Sequence, residues 1–208
     1  MARWSILVGL AISGATAGCA SPVPHAFEGP GLPEGARVAI LPLVNYTTSR
    51  DAPDRVTPAL GVALRTRKHL DVVDPGIVEQ ALATNPWLSP ERMPPDVVDS
   101  LGVATGANAL LVGSVLAYGY RAGEAPQVPE VSFAVKVVET PGGRCLWSAV
   151  FSRDGADRER VFGIGRIESL EKLADEAITE LVDTLPVRSR TAADVAAPTA
   201  TPAEGTSR

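Results

Sequence analysis

The segment "ANALLVGSVLAYGYR", residues 107–121, decides the fold of this chain. It is apolar on both faces of a strand, which is typical of a strand in the middle of a sheet. The next segment, "PEVSFAVKVVET" (129–140), alternates apolar and polar residues with a period of two. A Pro-Gly-Gly turn follows, and "RCLWSAVFSRD" (144–154) then returns antiparallel. We therefore predict a central strand followed by a hairpin.

Helices and shorter strands flank these three strands. "GRIESLEKLADEAITELVDTL" (165–185) carries its apolar residues along one stripe and predicts an amphipathic helix. Upstream, "RVAILPLVNY" (37–46) and "LDVVD" (70–74) predict strands. Helices are also predicted for residues 54–68, residues 75–84 and a segment that Asp96 caps. The fold class is α/β (α+β): a single mixed β-sheet of about five strands, with helices packed on it.

The first residues of the chain have the pattern of a secretory signal. One basic residue, Arg3, precedes an apolar run of about ten residues, which is too short for a membrane-spanning helix of ~20 residues. Small residues then lead to the sequence "TAGCAS" (16–21). Ala17, Gly18 and Cys19 resemble the lipobox of bacterial lipoproteins, although Thr16 stands where Leu is usual. The alternative is an ordinary signal peptide with an incidental cysteine.

The lipobox resemblance implies that Cys19 is acylated, palmitate included, and becomes the first mature residue. Residue 20 is Ala rather than Asp, and the sorting scheme that the motif implies then favours the outer membrane, facing the periplasm. Residues 20–35 are rich in Pro and Gly, and the residues after 186 are poor in large apolar side chains. We predict a signal peptide over 1–18, a lipidated cysteine and flexible tether over 19–35, one domain over 36–186 and a disordered tail over 187–208.

Composition narrows the function classes. The chain has 208 residues and a net charge of −5, with no long basic face, so nucleic acid is not expected as a partner. Two Cys and two His are too few for a zinc cluster built from several of each. No Gly-x-Ser-x-Gly, Walker or His-Glu-x-x-His motif is present. We predict no catalytic, cofactor or metal site; an envelope hydrolase is the alternative from a different class.

Several stretches together resemble a known group of envelope proteins. In "LGVATGANALLVGSV" (101–115) a helix ends in Gly-Ala and an aliphatic strand closes in Gly113 and Ser114. The following hairpin carries Glu139 and Thr140, a Gly turn, and then Leu and Trp. This pattern is similar to the curli-secretion lipoprotein family (CsgG-type), to TolB N-terminal domains and to the lipoprotein activators of penicillin-binding proteins. The resemblance implies an anticodon-binding-domain-like fold and an address in the bacterial cell envelope.

Two segments are candidate contact surfaces. "NPWLSPERMPP" (85–95) places Trp87, Leu88 and Met93 in a Pro-rich loop, where they either fold back over the core or anchor a protein partner. Phe162, in "VFGIG", is either a staple for the last helix or part of such an interface.

The resemblance implies a non-enzymatic, outer-membrane-anchored periplasmic lipoprotein. Its expected role is to bind an envelope protein partner within an assembly or secretion system, with the membrane contacted through the lipid anchor. The alternative is an activator or scaffold of peptidoglycan synthesis. Whether the chain is a monomer or a homo-oligomer is open at this stage.

Replacement of Cys19 with Ser tests the anchor. We expect Cys19→Ser to abolish the incorporation of labelled palmitate and to release a soluble or unprocessed form, because the acylated side chain is lost. Metabolic labelling followed by membrane fractionation measures both. Unchanged fractionation with the membrane would refute the lipoprotein interpretation.

Overall fold

The strand predicted to be central, β6 (Ala109–Tyr120), has partners on both sides. β3 (Arg37–Ile40) and β4 (Val44–Asn45) pair with it in parallel, and β7 (Pro129–Glu139) pairs with it antiparallel. The computed structural model describes residues 25–84, 93–121, 127–157, 159 and 165–190. Its sheet is mixed, as predicted.

The remaining strands extend the sheet to both sides. β8 (Cys145–Asp154) pairs antiparallel with β7, and β1 (His25–Glu28) pairs antiparallel with β8 at one edge. β5 (Asp71–Val72) pairs in parallel with β3 at the other edge. The order of the seven-stranded sheet is therefore β1-β8-β7-β6-β3-β5, with β4 also on β6. A second, two-stranded parallel sheet joins β2 (Leu32–Pro33) to β9 (Val187–Arg188).

Four helices are described, and their bounds are α1 (Ala52–Lys68), α2 (Pro75–Thr84), α3 (Pro95–Thr105) and α4 (Leu170–Asp183). The last helix begins at a true cap, because the Ser169 side chain accepts a hydrogen bond from the Lys172 amide at 3.2 Å. The predicted cap at Asp96 is wrong. Pro94 holds the cap position and Asp96 lies inside the first turn, where its charge still favours the helix dipole.

The helices cover the two faces of the sheet unequally. α1 and α4 pack on one face over a large apolar cluster whose largest fully buried side chains are Trp147, Phe133 and Phe151. α2 and α3 pack on the other face over a smaller cluster that contains residues of β3, of the first half of β6, and of β7 only Val138. Within the described residues, the second face therefore carries no helix over β8, β1 and most of β7. This asymmetry leaves the outer side of β8, β1 and most of β7 as the sheet surface that no described helix covers.

The sheet has seven strands rather than the predicted five or so. The prediction missed strands of two to four residues because they are too short to show an apolar period. The tether predicted over 19–35 needs correction: His25–Glu28 and Leu32–Pro33 are strands. They belong to the fold because Ala26 packs against the large cluster and the Leu32 amide donates to the Pro186 carbonyl at 3.0 Å. Residues 1–24, the predicted signal peptide and the rest of the tether, lie outside the described residues.

The tail predicted over 187–208 also needs correction at its start. Val187–Arg188 form β9, and the Glu34 amide donates to the Arg188 carbonyl at 2.8 Å. Val187 packs partly against the large cluster. The paired backbone groups and this apolar contact explain why these residues are ordered despite the polar composition that follows them.

Two truncations separate β9 from the rest of the tail. A stop after Pro186 removes β9, and we expect it to lower the free energy of unfolding by about 1–2 kcal/mol, since a net hydrogen bond contributes ~1 kcal/mol and Val187 loses its packing. A stop after Arg190 keeps β9 and should leave the melting temperature unchanged. Thermal denaturation of both chains is the measurement. Equal melting temperatures for the two would show that the β2–β9 sheet adds no stability.

Candidate functional site

The structure describes one of the five residues that the sequence nominated for function. Met93 is half-buried and packs against the α2–α3 cluster, so part of its side chain belongs to the core. Cys19, Trp87, Leu88 and Phe162 lie outside the described residues, and their roles stay predictions.

The part of the sheet without a described helix, which we name the open face, is built from two rows of side chains that run across the strands. Strand register places Val112, Lys136, Ser148 and Phe27 side by side on four neighbouring strands, with Val112 at the border because it is buried in the α2–α3 cluster. The second row is formed in the same way by residues of β4, β6, β7, β8 and β1, in the order Val44, Ser114, Ala134, Val150 and His25. Together they line the floor of a shallow groove.

Apolar side chains are exposed at the β1 end of the open face. Phe27 is 58% exposed and Val150 is 47% exposed, although both lie in strands. The two strands hold them together, because Phe27 pairs with Ser148 and His25 pairs with Val150. Phe27 and Val150 therefore belong to the surface of the described structure rather than to its core.

The charge of the open face differs from that of the chain. Among the described residues, no Asp or Glu lines the groove, whereas the chain as a whole has 24 Asp and Glu against 19 Lys and Arg. Lys136 and His25 supply the basic side chains. The surface is thus apolar and neutral to weakly cationic on a protein of net charge −5.

Gly113 keeps β6 close to β7 beneath this face. A Cβ added there would collide with the carbonyl oxygen of Ala134 and crowd the side chain of Val135. Only glycine fits such an approach of the neighbouring strand. This explains the glycine of the Gly113–Ser114 pair in structural terms.

A second cleft, between the β2–β9 sheet and the start of β3, is polar and has nearly balanced charges. Four arginines line it (Arg37, Arg144, Arg188 and Arg190), together with three acidic residues (Glu34, Asp71 and Glu139). Arg144 donates to both carboxylate oxygens of Glu139, at 2.9 and 3.1 Å, and Arg37 lies 3.5 Å from Asp71. Since these charges compensate one another, the cleft is a poor candidate for a strong anion site.

A third, small cleft lies between α1 and α4. Burial raises the pKa of Tyr118 at its floor, partly offset by the nearby charge of Arg55. Arg55 donates to the Asp51 carboxylate at 2.6 Å, and this hydrogen bond is the main cause of the lowered pKa of Asp51. Asp51 therefore serves an ion pair, and its side chain makes no capping hydrogen bond to α1 although it stands at the cap position.

One buried cation ties α4 to the sheet. Arg153, near the end of β8, is 2% exposed, and its Nη1 donates to Glu180 at 2.8 Å. Its Nη2 lies 3.4 Å from Glu176, one helical turn earlier on α4. A buried guanidinium needs opposite charge nearby, so this arrangement fixes the helix on the sheet.

Metal clusters and membrane-spanning helices are both absent from the described residues. They contain no group of three or more His, Cys, Asp or Glu side chains placed to hold a metal ion. Their helices include none that is both long enough and apolar enough to cross a bilayer.

Comparison with known proteins finds similarity at the level of fold. No protein-family model matches the chain, and no curated protein matches its sequence. Among solved structures, the PelC dodecamer from Paraburkholderia phytofirmans aligns with a TM-score of 0.56 and 23% identity, over 80% of this chain and 99% of that one. Lipoprotein GNA1162 from Neisseria meningitidis aligns with a TM-score of 0.52 and 19% identity, over 72% of this chain and 99% of that one.

These identities show a shared fold. The mixed sheet with packed helices is confirmed, and it is a fold that a bacterial lipoprotein also has. The curli-secretion and TolB parts of the resemblance are not confirmed.

Sequence reasoning missed the open face. A signal for one half of it was present: Ser148, Val150 and Ser152 alternate with buried residues along β8, which marks an outward row. Phe27 had no such signal, because β1 is only four residues long.

The tie between α4 and the sheet can be tested by removing its negative charges. The double variant Glu176→Gln, Glu180→Gln leaves Arg153 buried without opposite charge, and we expect a loss of about 3–5 kcal/mol in the free energy of unfolding. The matched control is Asp183→Asn, which breaks an exposed α4 pair with Arg67 at 2.6 Å and should cost about 0–1 kcal/mol. Urea denaturation measures both. A double variant as stable as the control would contradict a structural role for Arg153.

Proposed function

We propose that this protein is a non-enzymatic lipoprotein, anchored in the outer membrane through Cys19 and facing the periplasm. It acts there as a protein-binding component of an envelope assembly or secretion system. The observation that carries the proposal is the fold shared with the PelC dodecamer and with Lipoprotein GNA1162, in a chain whose own sequence has a lipobox.

We further propose that the chain assembles with copies of itself. The support is the PelC structure, which is a dodecamer and aligns over 99% of its own chain with 80% of this one. Assembly suits the absence of catalytic motifs in the sequence, because the work of such a protein lies in binding and scaffolding.

Activation or scaffolding of peptidoglycan synthesis is the second candidate. A lipoprotein in that role needs a long connection that lets its domain extend far from the membrane in which it is anchored. Here β1 begins at His25, so only residues 20–24 separate Cys19 from the sheet. Six residue steps span at most about 20 Å, which disfavours a long reach and leaves this role in second place.

Gentle extraction of the full-length protein from membranes tests the proposal. Light scattering on the detergent-solubilised protein should give a protein mass several times the 21.7 kDa of one unprocessed chain, and affinity capture should recover envelope assembly or secretion components. The Cys19→Ser variant, captured in parallel, controls for binding through the membrane alone. A monomer that recovers no partner would contradict the proposal, and recovery of a peptidoglycan synthase alone would favour the second candidate.

A further inference from the structure

We propose that the open face lies against the bilayer that holds the acyl chains of Cys19. The inference rests on the proposed lipid anchor and adds the orientation of the domain on its membrane. Phe27 and Val150 would then contact the acyl chain boundary, with Lys136 at the level of the lipid headgroups.

The length of chain before β1 carries the first step. Cys19 and His25 are separated by five residues, and a fully extended chain of that length spans about 20 Å. β1 is itself the edge strand of the open face. The anchor therefore holds the membrane within about 20 Å of β1, at the edge that the open face shares with the face covered by α1 and α4.

The chemistry of the open face carries the second step. A surface that rests on a bilayer combines apolar side chains, among which aromatics are favoured, with basic residues and few acids. Phe27 and Val150 supply exposed apolar area, and Lys136 and His25 supply basic side chains. The described lining of the groove includes no acidic residue that anionic headgroups would repel.

The size of the open face argues against a second copy as its occupant. The row from Val112 to Phe27 crosses three strand spacings of ~4.8 Å, or about 14 Å, and the row from Val44 to His25 crosses four, or about 19 Å. The two rows lie about 7 Å apart. A stable protein interface buries ~800 Å² per partner, far more than this patch offers. A small patch is enough for contact with a bilayer, because the acyl chains of Cys19 would already hold the domain at the membrane. The contact of the patch is then effectively intramolecular.

Depth-dependent fluorescence tests the orientation. The full-length chain carries Cys145→Ser and one new thiol for an NBD label, and it is reconstituted in vesicles of phosphatidylethanolamine and phosphatidylglycerol with nitroxide-labelled acyl chains. Ser148→Cys places the label in the middle of the open face while keeping Phe27 and Val150. The control is Val62→Cys, 57% exposed on α1.

We expect a blue shift and a loss of fluorescence at residue 148 and neither at residue 62. Adding Phe27→Asp and Val150→Asp should restore the fluorescence at residue 148 while the protein still floats with the vesicles. Equal quenching at both sites, or none, in protein that floats would overturn the orientation and leave the anchor intact. Shielding of residue 148 from aqueous iodide without quenching by lipid would place a protein there and would also overturn it. Failure to float would instead refute the anchor, and with it the orientation.

Discussion

The fold depends on the pairing of β6, which has partners along both edges and apolar residues on both faces through its first half. A strand of this kind is stable only if the sheet continues on both sides and helices cover both faces. β3 and β4 satisfy one edge and the long hairpin of β7 and β8 satisfies the other. α1 and α4 close one face, and α2 and α3 close the other only near β3 and β6.

The open face results from this unequal coverage of the two faces of the sheet by the helices. The hairpin strands are ten and eleven residues long and extend past the smaller cluster, so their outer rows have no helix within the described residues. β1 widens this surface and brings Phe27 to it. The segments at the two ends of the domain also meet, because β2 pairs with β9. The short connection from Cys19 thus leads into a part of the molecule that hydrogen bonds secure at several points.

The sequence predicts the long elements well and the short ones poorly. Residues 107–121, the hairpin after them and α4 were found because each carries several periods of apolar residues. β1, β2 and β9 have two to four residues each, too few for a period, and they lie in Pro- and Gly-rich or polar surroundings. Asp96 was assigned to a cap because Asp is common there, but Pro94 holds that position and Asp96 lies inside the first turn.

The residues of the candidate site also differ in how well the sequence predicts them. Cys19 is readable from sequence because a processing motif is local, whereas the open face depends on which helices cover which rows of the sheet and so appears only in three dimensions. Gly113 lies between these cases: its position was evident in the pattern, and its reason, the close approach of Ala134, needed the structure.

β1 is part of the sheet and so would bring the proposed anchor next to the open face. Hydrogen exchange of the full-length protein, followed by mass spectrometry at residues 25–28, tests this most directly. The account predicts that the β1 amides hydrogen-bonded to β8 exchange more slowly than the same residues in an unstructured peptide. Exchange of all the amides in this segment at the rate of an unstructured chain would contradict it.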